Sequence, residues 1–467
     1  NATEIELVEG LVAKSQNCWP SVNFDFGAIN NFLSKFFPAG FYYKTFMWPK
    51  SFWYKIYEPF IRKAAGFGVV STKHDNERYE HKYEYCDLLI TGSGPSGLAS
   101  AYAAAKNGAR VILAEDKSRF GGSLLTSEVS IGNQNGKDWA DNIIGELKEM
   151  PNVTVKNRSQ VFGYYDHNML VMSERLSDHL PKSKKYTPKQ RLWYIRAKEV
   201  IISTGSIERP IVFGNNDTPG VVLASAAKEY LKVYGVLVGK KPLIFTNNDS
   251  AYETAIEFKK NNINPIILDT RKNPESEIIS EAKNMGIEMK FSYVVVAAKG
   301  YKKVNSAEIA NISEDKKDLG KIENITCDCI CVSGFWTPTI HLASQSGNKT
   351  TFNEEIDAFV PGKSKQNETT VGSANGIFSL EKTITTAFEK GHEISKKITS
   401  KNNKISVPQV SEKKFTQHDK FWCVPLPKEK NYKRFLDFQN DVTVSDVELA
   451  LREGYRSIEH VKRYTTL

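Results

Sequence analysis

The sequence predicts an α/β fold of the Rossmann type, with a second α/β lobe inserted and a small helical C-terminal tail. Three observations carry this. A strand, glycine loop, helix and strand run from Tyr85 to Asp116, a second strand-helix-strand unit starts at Lys241, and a glycine-bearing turn near Gly372 precedes a late helix.

The first unit is the most explicit. The apolar run YCDLLITG leads into Gly92-Ser93-Gly94-Pro95-Ser96-Gly97, then the alanine-rich stretch GLASAYAAAKNG, then ARVILAED. Gly92 permits a tight turn out of the strand, Gly94 lets the backbone approach a diphosphate, and Gly97 lets the helix pack on the strand. Free N–H groups and the positive dipole end of that helix favour phosphate charge. Glu115 closes the second strand 18 residues past Gly97, followed by Asp116. A carboxylate there accepts hydrogen bonds from ribose hydroxyls and repels a 2′-phosphate, so the loop predicts NAD or FAD rather than NADP.

Phe120-Gly121-Gly122-Ser123 follows the acidic strand. Thr204-Gly205 ends another strand, and Gly372, Ala374 and Asn375 lie before the late helix. Each alone reads as a turn; in this order they belong to a nucleotide domain of the two-dinucleotide-binding-domain flavoprotein kind. Further elements follow from composition: a helix over 137–149, strands near 153–165, 168–173 and 192–203, and a helix over 380–400.

The second unit departs from this chemistry. Thr246-Asn247-Asn248-Asp249-Ser250 stands where a glycine loop would cradle phosphates, and its bulk and carboxylate oppose a second dinucleotide. Near the first unit no Cys-x-x-Cys occurs, which speaks against a disulfide-reductase mechanism. Cys327, Cys329 and Cys331 alternate as on a buried strand with their side chains on one face, and no metal site is expected. His341 reads as structural rather than catalytic.

At 467 residues the chain should form about three domains. The expected divisions are an aromatic-rich segment and linker over 1–82, a nucleotide domain over 83–209 and 334–400, the inserted lobe over 210–333, and a linker with a small helical domain over 401–467. The aromatic crowding between Phe36 and Phe60, broken by prolines, predicts no regular helix or sheet there and suits either a core wrap or a partner surface. The net charge of +9 is spread over scattered lysines, which argues against nucleic acid. No apolar run is long enough to span a bilayer and no signal peptide is evident, so a cytoplasmic, reducing location is expected. The Asn1 start suggests a trimmed or internal piece of a longer chain.

Taken together, FFPAGFYYKTFMWPKSFW, TGSGPSGLASAYAAAKNGARVILAEDKSRFGGSLL, NDTPGVVLASAAKEYLKVYGV, TNNDSAY, VSGFWTPTIHLASQSGNK and DFQNDVTVSDVELALREGYRSIEHVKRYTTL make the chain resemble the α subunits of heterotetrameric sarcosine oxidases over nearly its whole length. The resemblance implies the central portion of such a subunit, lacking an N-terminal ferredoxin-like and a C-terminal folate-binding domain. It implies NAD held by Gly92, Gly94, Ser96 and Gly97, with Glu115 and Asp116 on the ribose and Ser123 and Val161 nearby; on the motif reading Pro95, Gly122, Thr204, Gly205, Gly372, Ala374 and Asn375 complete the expected site. It implies FAD in a β subunit, FMN at the interface with that subunit with Arg463, Thr465 and Thr466 as phosphate contacts, γ and δ partners, and tetrahydrofolate on the missing domain. The activity implied is oxidative demethylation of sarcosine to glycine.

Within the tail, Ser445 to Glu448 reads as a capping box, and Phe438 and Asn440 stand where related subunits carry cluster-binding cysteines. Two other readings stay open at this point: a free-standing FAD-dependent NAD(P)H reductase, which the TNNDS loop opposes, and a subunit of another amine, opine or proline dehydrogenase.

Overall fold

The computed structural model describes residues 5–467, apart from 7–8, 14–17, 34–35, 37–38, 40, 42–44, 67–69, 71, 181–185, 404 and 414–417. Its first sheet is built from β1 (Tyr79–Thr91), β2 (Val111–Ala114), β3 (Val153–Lys156), β4 (Ser159–Tyr165), β5 (Met169–Arg175) and β6 (Gln190–Ile202). The order is β3-β2-β1-β6-β5-β4, with the strand Glu368–Thr370 added beside β6. β3, β2, β1 and β6 run parallel, whereas β5 and β4 return antiparallel as a meander.

The parallel strands are continuous apolar runs because both faces are covered. Leu88, Ile90, Val111 and Leu113 pack under α1 (Pro95–Lys106), α2 (Gly136–Glu149) and the long helix Leu380–Thr399. Leu89, Ile112, Val200 and Ile202 face the other core with Leu170 and Trp193. The alanines of α1 let the sheet and two helices approach closely, and between its ends only Tyr102 is not fully buried.

The second lobe repeats the theme. Its parallel sheet runs in the order Val221–Leu223, Cys329–Ser333, Pro242–Thr246, Ile266–Asp269, Glu288–Phe291. The helices Ala224–Tyr234, Ser250–Lys260 and Glu277–Asn284 cover one face; a three-stranded antiparallel sheet from Tyr293 to Thr326 covers the other. The tail carries two short helices, Val444–Arg452 and Ile458–Thr465, closed around Ala450, Val461 and Tyr464.

Several local expectations are corrected. The linker expected to reach residue 82 ends sooner, because β1 starts at Tyr79 and pairs with β6 from Gln190. Within the aromatic segment, Trp53–Tyr57 and Glu58–Ala64 form a helical stretch despite the prolines, since Pro59 falls in the first turn of the second piece, where its missing N–H costs nothing. The capping box lies two residues earlier than expected: Thr443 is the N-cap, with Asp446 donating its amide to the Thr443 hydroxyl and accepting the Thr443 amide. Cys329 and Cys331 share the helix-covered core, but Cys327 precedes the strand and packs in the opposite one. Burial pushes the Cys327 thiol up to about 12, as expected of an inert core cysteine. His341 is exposed at the start of the short helix His341–Gln345.

Candidate functional site: a glycine cradle at the end of β1

The turn out of β1 is built around contacts that admit no side chain. Gly92 lies at φ +99°, and a Cβ there would stand 2.4 Å from the Ser203 carbonyl oxygen. A Cβ on Gly97 would stand 1.9 Å from the Gly92 carbonyl oxygen and 2.8 Å from the Ser203 hydroxyl. Gly94, by contrast, has open space around its Cβ position. It is the N-cap of α1 and offers no capping side chain, so the N–H groups of the first turn remain available to an anion. Pro95 takes the first helical position, where no N–H is needed.

Other glycine turns close around this loop. The Gly121 amide donates to the Ser93 carbonyl at 3.0 Å, and a Cβ on Gly122 would lie 2.8 Å from Gly94 Cα. A Cβ on Gly372, at φ +67°, would lie 2.6 Å from the Ser96 hydroxyl. Ser203, at the end of β6, donates to the carbonyls of Thr91 and Gly92 at 2.8 and 2.9 Å. Thr204 donates to the Thr339 carbonyl, and the Gly205 carbonyl accepts from the Thr339 amide. The structure therefore gathers Gly92 to Gly97, Gly122, Gly205 and Gly372 into one cradle. Ser123 is exposed beside Gly122, and the short helical turn Gly372–Asn375 buries Ala374 while exposing Asn375.

Glu115 marks one end of the cradle. Its side chain is almost wholly buried, with Oε2 accepting from the Ser93 amide at 2.8 Å and the Ser93 hydroxyl at 2.5 Å, and Oε1 accepting from the Lys117 amide at 3.0 Å. Burial, reinforced by the neighbouring Asp116 carboxyl, pushes Glu115 up to about 7, while the donors from Ser93 and Lys117 pull it back. Asp116 itself is exposed. Val161 lies half-buried on β4, two residues past Ser159, whose amide donates to the Glu115 carbonyl at 2.7 Å.

The sign of this shift makes a prediction for the nucleotide-free chain. The folded state holds the Glu115 proton more tightly than the unfolded chain, whose carboxyl has the ordinary value of 4.5. The stabilisation is fully present below 4.5 and is lost as pH rises through about 7, on the order of 3 kcal/mol in all. Urea midpoints taken from pH 5 to 8 should fall in the wild type and lack this component in Glu115→Gln; equal falls in both would refute the assignment.

The second lobe has the same layout and is filled from within. Asn247 donates to the Asp419 carbonyl and Asn248 to Ser333, while Asp249 pairs with Arg271 at 2.7 Å. Arg271 also meets Asp269 at 2.7 Å, at the end of the second strand, the place that corresponds to Glu115. A guanidinium thus spans from the loop to the strand-end acid.

In the tail, Thr465 is buried and its hydroxyl donates to the Val461 carbonyl at 2.8 Å, so it offers nothing to a phosphate, whereas Arg463 and Thr466 are exposed. Sequence reasoning did not single out Ser93 or Ser203. Both occupy positions that the glycine pattern leaves free, and only their partners reveal them.

The sequence profile of the pyridine nucleotide-disulphide oxidoreductases matches residues 86–365, more than half of the chain. The chain belongs to this family. Beyond that region, the profile of the sarcosine oxidase A3 domain matches residues 431–467. The sarcosine oxidase α subunit of Rhizobium meliloti (strain 1021) is 40% identical over 467 residues, which is 100% of this chain and 46% of that protein. That of Corynebacterium sp. (strain P-1) is 33% identical over 410 residues, 86% of this chain and 42% of the relative. The chain therefore spans about half the length of the curated relatives it matches. The resemblance drawn from the motifs is borne out. Among solved structures, the L-proline dehydrogenase of P. horikoshii superposes with a TM-score of 0.58 at 19% identity, covering 85% of this chain and 72% of that one, which supports the flavoprotein-like fold. Among the described residues no helix is long and apolar enough to cross a membrane.

Proposed function

We propose that this chain is the NAD-holding portion of a sarcosine oxidase α subunit. The observation that carries the reading is the contrast between the lobes. The first keeps a glycine cradle with an uncapped helix start, and the second fills the equivalent space with Arg271. The cradle suits a dinucleotide on its own geometry: Gly94 leaves room for a diphosphate, and the buried Glu115 carboxyl faces the ribose end, where it opposes a 2′-phosphate. Gly92, Gly94, Pro95, Ser96, Gly97, Glu115, Asp116, Gly122, Ser123, Val161, Thr204, Gly205, Gly372, Ala374 and Asn375 form the site in this reading, within a nucleotide domain over 83–209 and 334–400.

The assembled enzyme oxidatively demethylates sarcosine to glycine with O2 and tetrahydrofolate, giving H2O2 and 5,10-methylenetetrahydrofolate or formaldehyde. Its FAD belongs to the β subunit and FMN to the interface, with Arg463 and Thr466 on this side; γ and δ subunits complete a cytoplasmic complex. When bound, NAD supplies a redox-active nicotinamide. The residues of this chain bind its diphosphate and orient its ribose.

The full chain should purify without a flavin spectrum and release about one NAD per chain on denaturation, measured by chromatography of the supernatant. A yellow protein with stoichiometric FAD and NADH-dependent dye reduction would sink the reading in favour of a free-standing reductase.

A further inference from the structure

Ser93 lies inside the glycine motif at a position that the motif leaves unspecified, yet it is fully buried and makes three contacts across the cradle. Its amide and hydroxyl both donate to Glu115 Oε2, at 2.8 and 2.5 Å, and its carbonyl accepts from Gly121 at 3.0 Å. A hydroxyl buried so deeply could have donated to a nearby carbonyl of its own loop; instead it reaches the carboxylate 22 residues on.

A carboxylate offers about four acceptor sites. The two Ser93 donors fix Oε2, and the Lys117 amide takes one site on Oε1. Acceptor capacity remains on Oε1, beside the Asp116 carboxyl. A ribose hydroxyl needs that oxygen as an acceptor, which a protonated carboxyl offers less well.

We propose that Ser93 is a positioning residue of the dinucleotide site: its hydroxyl holds Glu115 as an oriented, ionised acceptor for the ribose hydroxyls. This rests on the reading of the cradle as an NAD site. The charges around Glu115 leave the task to Ser93. Asp116 beside it opposes ionisation. Lys117 is engaged with Glu229 of the helix Ala224–Tyr234, Arg158 on the turn before β4 with Glu6, Lys156 of β3 with Glu174, and the Arg175 side chain of β5 with the Asp116 carbonyl. Those cations are committed elsewhere, so the hydroxyl at 2.5 Å is the close donor that favours the charged form.

The test is the rate at which the full-length chain loses its bound NAD on dilution, followed by enzymatic cycling of the released nucleotide from pH 6 to 9. Wild type should release faster as pH falls. In Ser93→Ala, release at pH 7 should speed up by about tenfold, the worth of one hydrogen bond to a charged group, and the profile should move to higher pH. Glu115→Gln keeps one carbonyl acceptor and has no proton to gain, so its profile should be flat whether or not the alanine variant folds. A Ser93→Ala profile that matches wild type, or lies above it by the same factor at every pH, overturns the proposal, as does a Glu115→Gln profile with the wild-type slope. Wild-type chain that carries no NAD overturns the underlying reading instead.

Discussion

Replacing Gly97 by alanine should abolish the cradle outright. The new methyl would sit 1.9 Å from the Gly92 carbonyl oxygen, and neither group has a flexible end that could move away, because one is the first turn of α1 and the other the turn out of β1. The helix would have to lift from the sheet and break the packing of Leu98 and Ala101 against Leu88 and Ile90. A loss of about 3 kcal/mol or more follows from overpacking against backbone, together with loss of bound NAD. Gly94→Ala is the informative partner. Nothing lies within 4 Å of its Cβ position, so the protein should keep its stability to within about 0.5 kcal/mol. The same methyl would occupy the space that a diphosphate needs, and NAD should be lost all the same. Urea denaturation paired with nucleotide content separates the two effects. A Gly97→Ala chain with unchanged midpoint and full NAD, or a Gly94→Ala chain that retains it, would show that the cradle has been misread.

The contrast shows which parts of the site are legible in a sequence. Glycines are legible because the steric demand falls on the residue itself: a turn at φ +99° or a 1.9 Å approach can be met by almost nothing else, so the spacing carries the geometry. Ser93 is not legible, since its role depends on a carboxylate reached through the fold. Periodicity told of a buried strand around the three cysteines, but the alternation gave no sign that pairing begins only at Cys329, which left Cys327 on the other face. The tail cap was misplaced for a similar reason. Both Thr443 and Ser445 precede an acid by three residues, and the choice of Thr443 depends on its extended backbone, at φ −108° and ψ 165°, beyond a short strand pair. The exposed Trp19, Phe32, Trp48, Tyr54 and Phe60 show the opposite case: composition announced an unusual surface without saying what lies on it.

The second lobe extends the same reasoning to stability. Asp249 and Asp269 are completely buried, and Arg271, itself nearly so, bonds both at 2.7 Å while Tyr252 donates to Asp269 at 2.8 Å. The sequence shows the bulky loop that opposes a phosphate; it does not show that an arginine two residues beyond the strand-end acid turns back to bridge the two carboxylates. Removing it takes a shared guanidinium from two buried carboxylates, which costs more than the net value of the pair because each remains desolvated. Arg271→Leu should therefore destabilise the second lobe by about 3–5 kcal/mol. Since the lobes have separate cores, the loss should appear as faster amide exchange in Pro242–Thr246 and Ile266–Asp269, with β1 and β2 protected as before. Adding Asp249→Asn to the leucine variant should recover part of the loss, because it removes one of the stranded charges. If the leucine variant exchanges at the wild-type rate, the guanidinium does not hold the lobe together. If the asparagine recovers nothing, the cost comes from lost packing rather than from buried charge.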